Sequence, residues 1–544
     1  MSLPRRPGQG PVSKATLSRA GPYDTGQAGR SALSQRRQIG AGSVADMGRA
    51  DPIRPTQLGP SGPGPAEVMT APRGPGSRAP LLGRVLLLLF PQGPTVQRSG
   101  WARLGVALAS LAAVAAGAWL MLMRQQGRPA TASLVAEDHK IFLPEALAHP
   151  WSSLFQAYDG YEELVPRLIG EVVAKLPFRD AAVAFAVTGA VITSCCAVFV
   201  FYACSGHVRT PVLRVLVGVS VILLPTALVE IANTGVNSPW YLLFAAFWAL
   251  VWRPRSVAGV AAAAVICFAA AASTVLAALY LPLAVARVIA LPRVREHAAT
   301  IGLLAGCAVQ VPVVLTSSRS HQTTTLGHAL AFYGHLVILP AVAGHHLAAL
   351  MWAWAGLTGA TLIAAAVVVA VAVWACLRAD AQARAFVVAA LLFGLLLTLF
   401  PVFVHGDIAD YSLSRTALYV HGSRYAQPPL LLIDSALIVA VDAYLRRGGI
   451  RLERAAHVTA AGLLVAVLGT QWVSDFRYAN ERAIWSPWSQ TVARVERSCR
   501  QDPMRPVRVL HETTLRCSQL VGFSAPRHAP GVNGSRLSGS SPSR

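Results

Sequence analysis

A chain of 544 residues that is 54% hydrophobic and only 13% charged lacks the makeup of a soluble protein, which carries about twice that share of charge. The formal net charge is +22, nearly all of it from Arg, since Lys14, Lys140 and Lys175 are the only lysines. No aromatic-interleaved basic domain accompanies that charge, so it points away from nucleic acid and, with the abundant Ala and Val, towards a GC-rich bacterial genome.

Residues 1–98 are rich in Gly, Pro, Ser, Arg and Ala without sustained apolar periodicity, and read as a disordered basic cytoplasmic tail. The run Leu81–Phe90 is too short to span and reads as a surface segment. A misassigned start, with translation beginning at Met47 or Met69, is the plain alternative for this tail.

From residue 99 to 475 apolar runs recur, most near the length that crosses a hydrocarbon core of about 30 Å. They are continuous rather than alternating, which predicts an all-α polytopic membrane protein and excludes a barrel. Eleven spans are expected, near 102–123, 181–203, 213–231, 239–252, 257–274, 275–291, 297–316, 355–377, 385–404, 428–445 and 457–474. The fourth is short, and the fifth and sixth, barely separated at Ala272-Ser-Thr274, read as a tight hairpin or a broken helix. The pairs Arg209/Arg214, Arg253/Arg255, Arg293/Arg295 and Arg378/Arg384, with the cluster at Arg446/Arg447, fall in alternate loops. The positive-inside rule then puts the N-terminus in the cytoplasm and the C-terminus outside a plasma membrane. The remaining loops, 125–180, 232–238, 317–354 and 405–427, face outward with the tail after 475.

Six of the eight cysteines lie in or beside spans and read as small apolar packers. No CxxC pair or Cys/His zinc spacing occurs. Cys499 and Cys517 suggest a small outer subdomain, 476–523, closed by a disulfide, with two free thiols as the alternative; 524–544 reads as a disordered tail.

The first outer loop, 125–180, opens on Glu137-Asp-His-Lys140, four ionisable residues at a water–membrane boundary. Trp151, Leu154, Phe155, Tyr158 and Tyr161 come next at three- and four-residue spacing, which predicts an interfacial amphipathic helix. Tyr158-Asp-Gly160 reads as a turn, and a second helix is expected from Pro166 to Leu176.

This layout resembles the GT-C superfamily of integral-membrane glycosyltransferases. The matching features are the acidic pair Glu137-Asp138, the Trp151–Tyr158 segment, the Tyr158–Gly160 turn and Val165-Pro-Arg-Leu168. The likeness covers roughly residues 100–445 in layout, and it departs in having Glu-Asp where Asp-Glu or Asp-x-Asp is commoner. It implies transfer of a sugar from a polyprenyl-phosphate donor to an envelope glycan, lipid or protein at the outer face. Such a reaction needs a carboxylate to deprotonate the acceptor hydroxyl and a cation for the departing phosphate.

In that scheme Asp138 is the expected base and Glu137 orients substrate or binds metal. Lys140 and Arg167 are candidate phosphate ligands, with surface cations snorkelling to the headgroups as the alternative. Arg424, in His421-Gly-Ser-Arg-Tyr425, matches the position of a lipid-phosphate ligand, and Tyr425 would hold a headgroup or ring. Tyr158, Glu230 and Asn233 complete the candidate substrate pocket. No cofactor is required, and since some GT-C members use a divalent metal and others do not, that question stays open. The competing class is a transporter or flippase that uses Glu230, Asp434 and Arg424 along a pathway; a noncatalytic envelope partner is a third.

Overall fold

The computed structural model describes residues 81–93, 99–158, 160–224, 232–316, 324–404, 423–447, 451–479, 482, 486–502, 506–510 and 513–520. In chain order the helices are α1 (Leu81–Leu87), α2 (Gly100–Met123), α3 (Leu143–Ala148), α4 (Leu164–Val173), α5 (Ala181–Ala203) and α6 (Pro211–Leu223). Then come α7 (Ser238–Val251), α8 (Val257–Ser273), α9 (Leu281–Ala290), α10 (Ala298–Thr316) and α11 (Leu326–Tyr333). The last are α12 (Leu339–Arg378), α13 (Ala381–Val404), α14 (Ser423–Leu445), α15 (Arg451–Ser474) and α16 (Trp488–Gln501).

This is a multi-pass, all-α membrane protein. Six helical stretches among the described residues are long and apolar enough to cross a bilayer: 100–123, 178–206, 294–316, 326–378, 381–404 and 424–445. The other apolar helices, α6, α7, α8, the Val275–Ala290 stretch and the Val458–Ser474 part of α15, have 10–17 residues among those described, so six of the eleven expected spans are supported by length and composition.

One further expectation changes. The described part of the predicted outer loop 317–354 is helical from Leu326, and the chain runs on to Arg378, broken where Gly344 (φ 62°) and Gly356 (φ 72°) adopt the left-handed conformation that glycine tolerates. The expected break at Ala272-Ser-Thr274 falls at Thr274, which is extended and whose side chain caps Leu276 N–H, so the next stretch begins as a 3₁₀ turn, Val275–Tyr280.

All fourteen residues of α7 are buried, as expected of a segment apolar all round, and this helix forms the centre of the bundle with α5, α8 and α14 packed on it. By contrast α2 exposes Leu104, Leu108, Leu111 and Trp119, the signature of a face turned to lipid.

At one end of the bundle the chain builds a polar layer. Strand β1 (Gln125–Gln126) pairs in parallel with β2 (Tyr478–Ala479), joining the segment after α2 to the chain after α15. Beyond, α16 packs on the antiparallel hairpin β3 (Pro506–Leu510) and β4 (Thr513–Arg516). Cys499 and Cys517 are disulfide-bonded, 5.7 Å apart at Cα. Trp488 plugs α16 into the layer, packing on Phe178 at 4.7 Å and donating Nε1–H to its carbonyl at 3.0 Å.

Candidate functional site

Between α2 and α5 the chain does not form the expected amphipathic helix at Trp151–Tyr158. Trp151 has φ 64°, Ser152–Phe155 make a 3₁₀ turn, and the backbone then extends to Tyr158. The aromatic spacing still sets exposure, since Trp151 and Phe155 stand out from the surface. The turn at Tyr158 is as expected: Tyr158 and Tyr161 exchange backbone bonds of 2.8 and 3.0 Å around Gly160, whose φ is 88°.

The segment after that turn is clamped. Gln310 of α10 accepts from Glu162 N–H and donates to Glu162 O, both at 2.9 Å. Ser273, at the end of α8, accepts Val165 N–H at 3.0 Å. Tyr161 and Glu163 are thereby fixed from both sides by membrane helices.

The acidic pair diverges. Ala136 takes φ 50°, and Asp138–Phe142 form one wide π turn running into α3. That geometry turns adjacent carboxylates to different partners. Asp138 is 1% exposed. Its oxygens accept Gly235 N–H at 2.7 Å and Val236 N–H at 2.8 Å, pinning the 232–238 loop. Burial pushes Asp138 up to about 7, against the pull of those two donors and of Arg482.

Glu137 instead accepts the Tyr158 hydroxyl at 2.9 Å and lies 3.8 Å from Arg424 Nη1. Its side chain is 18% exposed, and its Oε2 has no hydrogen-bond partner. Beside it, Glu163 Oε1 accepts the Tyr161 hydroxyl at 3.0 Å while Oε2 has no hydrogen-bond partner. Burial holds the Glu163 carboxyl well above the ordinary range, and the Glu137 charge adds to the push. Burial likewise raises Tyr158 and Tyr161, so both hydroxyls stay donors. The cluster thus sets an acid held above its ordinary range near Glu137, a guanidinium and two phenols.

Arg424 heads α14 and lies over the Tyr425 ring, 5.3 Å from its centroid; Tyr425 packs at 4.9 Å on Trp240 at the head of α7. Behind these rings is a small apolar cavity lined by Tyr161, Trp240, Leu276, Phe400, Pro401 and Tyr425, among others. The cavity is small, about 50 Å³, and borders the polar cluster through Tyr161 and Tyr425.

No family model, no curated protein and no solved structure matches this chain. The cluster's chemistry therefore rests on its own geometry.

Of the sequence candidates, Glu137, Tyr158, Arg424 and Tyr425 converge. Arg167 does not join them. It is 1% exposed, bonded to Glu145 Oε2 at 2.7 Å and Ser153 O at 2.8 Å, and 3.6 Å from Glu162, so it is not a snorkelling surface cation. Asn233 is buried, with φ 59°, and its Nδ2–H caps Met121 O at 2.8 Å. Lys140 is exposed on the π turn, and Glu230 lies outside the described residues. Among the described residues no three His, Cys, Asp or Glu side chains gather as a metal site.

Tyr161, Glu163 and Arg482 were not singled out from sequence. The doubled acid Glu162-Glu163 straight after the Tyr/Gly turn was the available signal for one of them. Gly235 permits the Asp138 clasp, since a Cβ there would sit 3.0 Å from Asp138 Oδ1 and from the Phe185 ring. Gly235→Ala is expected to cost about 1–3 kcal/mol, read as a lower melting temperature in detergent; an unchanged melt would show that the clasp yields freely.

Proposed function

We propose that this chain is a GT-C-type glycosyltransferase of a bacterial plasma membrane. It moves a sugar from a polyprenyl-phosphate carrier to an envelope glycan, lipid or protein at the outer face. The observation that carries this reading is Glu137, a reachable carboxylate bonded to Tyr158 and facing Arg424 at 3.8 Å, beside an apolar cavity.

In this reading the base is Glu137 rather than Asp138, whose oxygens are both occupied by backbone donors. The donor's phosphate takes Arg424 as its counter-ion, while Glu137, held through Oε1 by the Tyr158 hydroxyl, offers Oε2 to the acceptor hydroxyl. The acceptor's hydroxyl oxygen bonds to the anomeric carbon as its proton passes to Glu137, and the sugar–phosphate bond breaks with its electrons going to the carrier phosphate. Glu163, kept protonated, donates from Oε2, and Tyr425 with Trp240 forms an aromatic wall for the ring or first prenyl unit.

A second reading, transport, is favoured by Asp434, which is 4% exposed in the middle of α14. Purified protein in liposomes, given labelled polyprenyl-phosphate sugars and an envelope fraction, separates the two. Consumption of donor with release of carrier phosphate supports the transferase; intact donor crossing the bilayer supports transport.

Glu163 adds a pH signature. Its carboxyl holds its proton above the ordinary carboxylate range and loses it as pH rises, so turnover should fall on the alkaline side. Glu163→Gln, which imitates the protonated acid permanently, should flatten that fall; an unaltered profile would remove Glu163 from the mechanism.

A further inference from the structure

The polar layer holds a second cavity whose chemistry differs from that of the Glu137 cluster. It has a volume of about 440 Å³ and is lined by Leu134, His139, Ser486, Trp488, Gln490, Thr491, Arg494 and Arg497. Two of these are arginines and none is acidic. The rest are mostly short hydroxyls, an amide and an imidazole, which exchange hydrogen bonds with sugar hydroxyls.

The cavity is built, not incidental. One face of α16 buries Trp488, Thr491, Val492, Val495 and Cys499, and the disulfide to Cys517 anchors that face to the hairpin. With the helix rotation fixed, Gln490, Arg494 and Arg497 stand together at three- and four-residue spacing on the exposed side. His139 lies on the π turn that also presents Glu137 and Asp138, so cavity and cluster share one wall.

We propose that this cleft binds an acidic saccharide, with Arg494 and Arg497 reading its negative groups and Ser486, Gln490 and Thr491 reading its hydroxyls. A guanidinium fork accepts a carboxylate or a phosphate equally well, so the shared chemistry is a sugar chain carrying regular negative charge. Resting on the transferase reading, the cleft is the acceptor site: inner units of an anionic envelope glycan seat against α16 while its end reaches Glu137. An acceptor so held is recognised over several units, whereas the Glu137 cluster needs only its terminal hydroxyl.

The test is direct binding by the full-length protein in phosphatidylcholine nanodiscs, without donor. The probes are tetragalacturonate, maltotetraose, inorganic phosphate and a phosphorylated oligosaccharide of matched length. Tetragalacturonate or the phosphorylated chain is expected to bind at least tenfold tighter than maltotetraose, and which of the two wins identifies the acidic group. Arg494→Gln and Arg497→Gln should each weaken that binding about tenfold, the size of a charge-assisted bond at a partly solvated site. Arg494→Lys should recover part of the loss, because it keeps charge but not the fork. A non-reducing gel showing the Cys499–Cys517 bond checks that each variant keeps its subdomain.

Equal binding of acidic and neutral chains, or displacement by inorganic phosphate at matched concentration, overturns the proposal. So does an effect of the Gln variants confined to phosphatidylglycerol nanodiscs, which would make these arginines a headgroup anchor. Because this assay needs no donor, acidic-chain binding here with no donor consumption in the liposome assay would count against the transferase alone, and donor consumption there with no acidic-chain binding here against the cleft alone.

Discussion

Glu137→Gln is expected to lower sugar transfer by about 10²–10⁴-fold, the usual contribution of a positioned base, while leaving the melting temperature nearly unchanged. Gln keeps the length of the side chain and an oxygen for the Tyr158 hydroxyl, and the 18% exposed side chain lies at the edge of the core, so little packing is lost. The variant gives up the ability to accept a proton and the charge facing Arg424. Arg424→Gln in the same assay should raise the donor's KM as well as lower kcat, since a phosphate ligand acts in the ground state and in the transition state. Tyr158→Phe should be milder, removing one hydrogen bond from Glu137 without removing its charge. A folded Glu137→Gln variant that turns over donor at the wild-type rate would end the base assignment.

The sequence reached this cluster unevenly, and the reasons are physical. Hydropathy located the apolar segments, because burial in lipid or core demands apolar side chains whatever the topology. It marked the segment of α7 as short but still counted it as a span, because this helix is fully buried and as apolar as any span, yet has 14 residues. Nor did it foresee the breaks at Gly344 and Gly356, where a glycine inside an apolar run reads like any small packing residue. Within the site, Glu137, Tyr158, Arg424 and Tyr425 were legible as polar residues at the ends of apolar runs. The roles of the acidic pair were not. Adjacent acids look alike until the backbone turns at Ala136 (φ 50°) and the π turn send one inward and the other to Tyr158. The surroundings of Arg167 and Asn233 were hidden for a related reason, since their partners Glu145, Ser153 and Met121 lie from 14 to 112 residues away along the chain.

Asp138→Ala is expected to destabilise the polar layer by about 3–5 kcal/mol, a large part of the net stability of an ordinary domain. The loss has two sources. Gly235 and Val236 N–H, now bonded at 2.7 and 2.8 Å, would be left in the interior without an acceptor. Arg482 would also lose the nearby acid that offsets its burial. Burial lowers Arg482 to about 10, which still leaves it charged near neutrality. This guanidinium donates to Ala130 O at 2.8 Å, Ser133 O at 2.7 Å and Asn233 O at 2.6 Å, so it ties the chain after α15 to both loops that frame the site. Arg482→Met should therefore cost as much as Asp138→Ala, and the two losses should not add, with a coupling of about 1–3 kcal/mol in a double-mutant cycle. Hydrogen exchange would locate the damage: residues 130–142 and 232–238 should lose protection while α7 and α14 keep theirs. Asp138→Asn, retaining one acceptor oxygen, should fall between. If Asp138→Ala instead melts like the wild type and loses only kcat, then the buried acid is the base and Glu137 its support. The two acids are thus assigned by opposite readouts, rate for Glu137 and stability for Asp138, because one carboxylate leaves an oxygen for substrate and the other gives both to the fold.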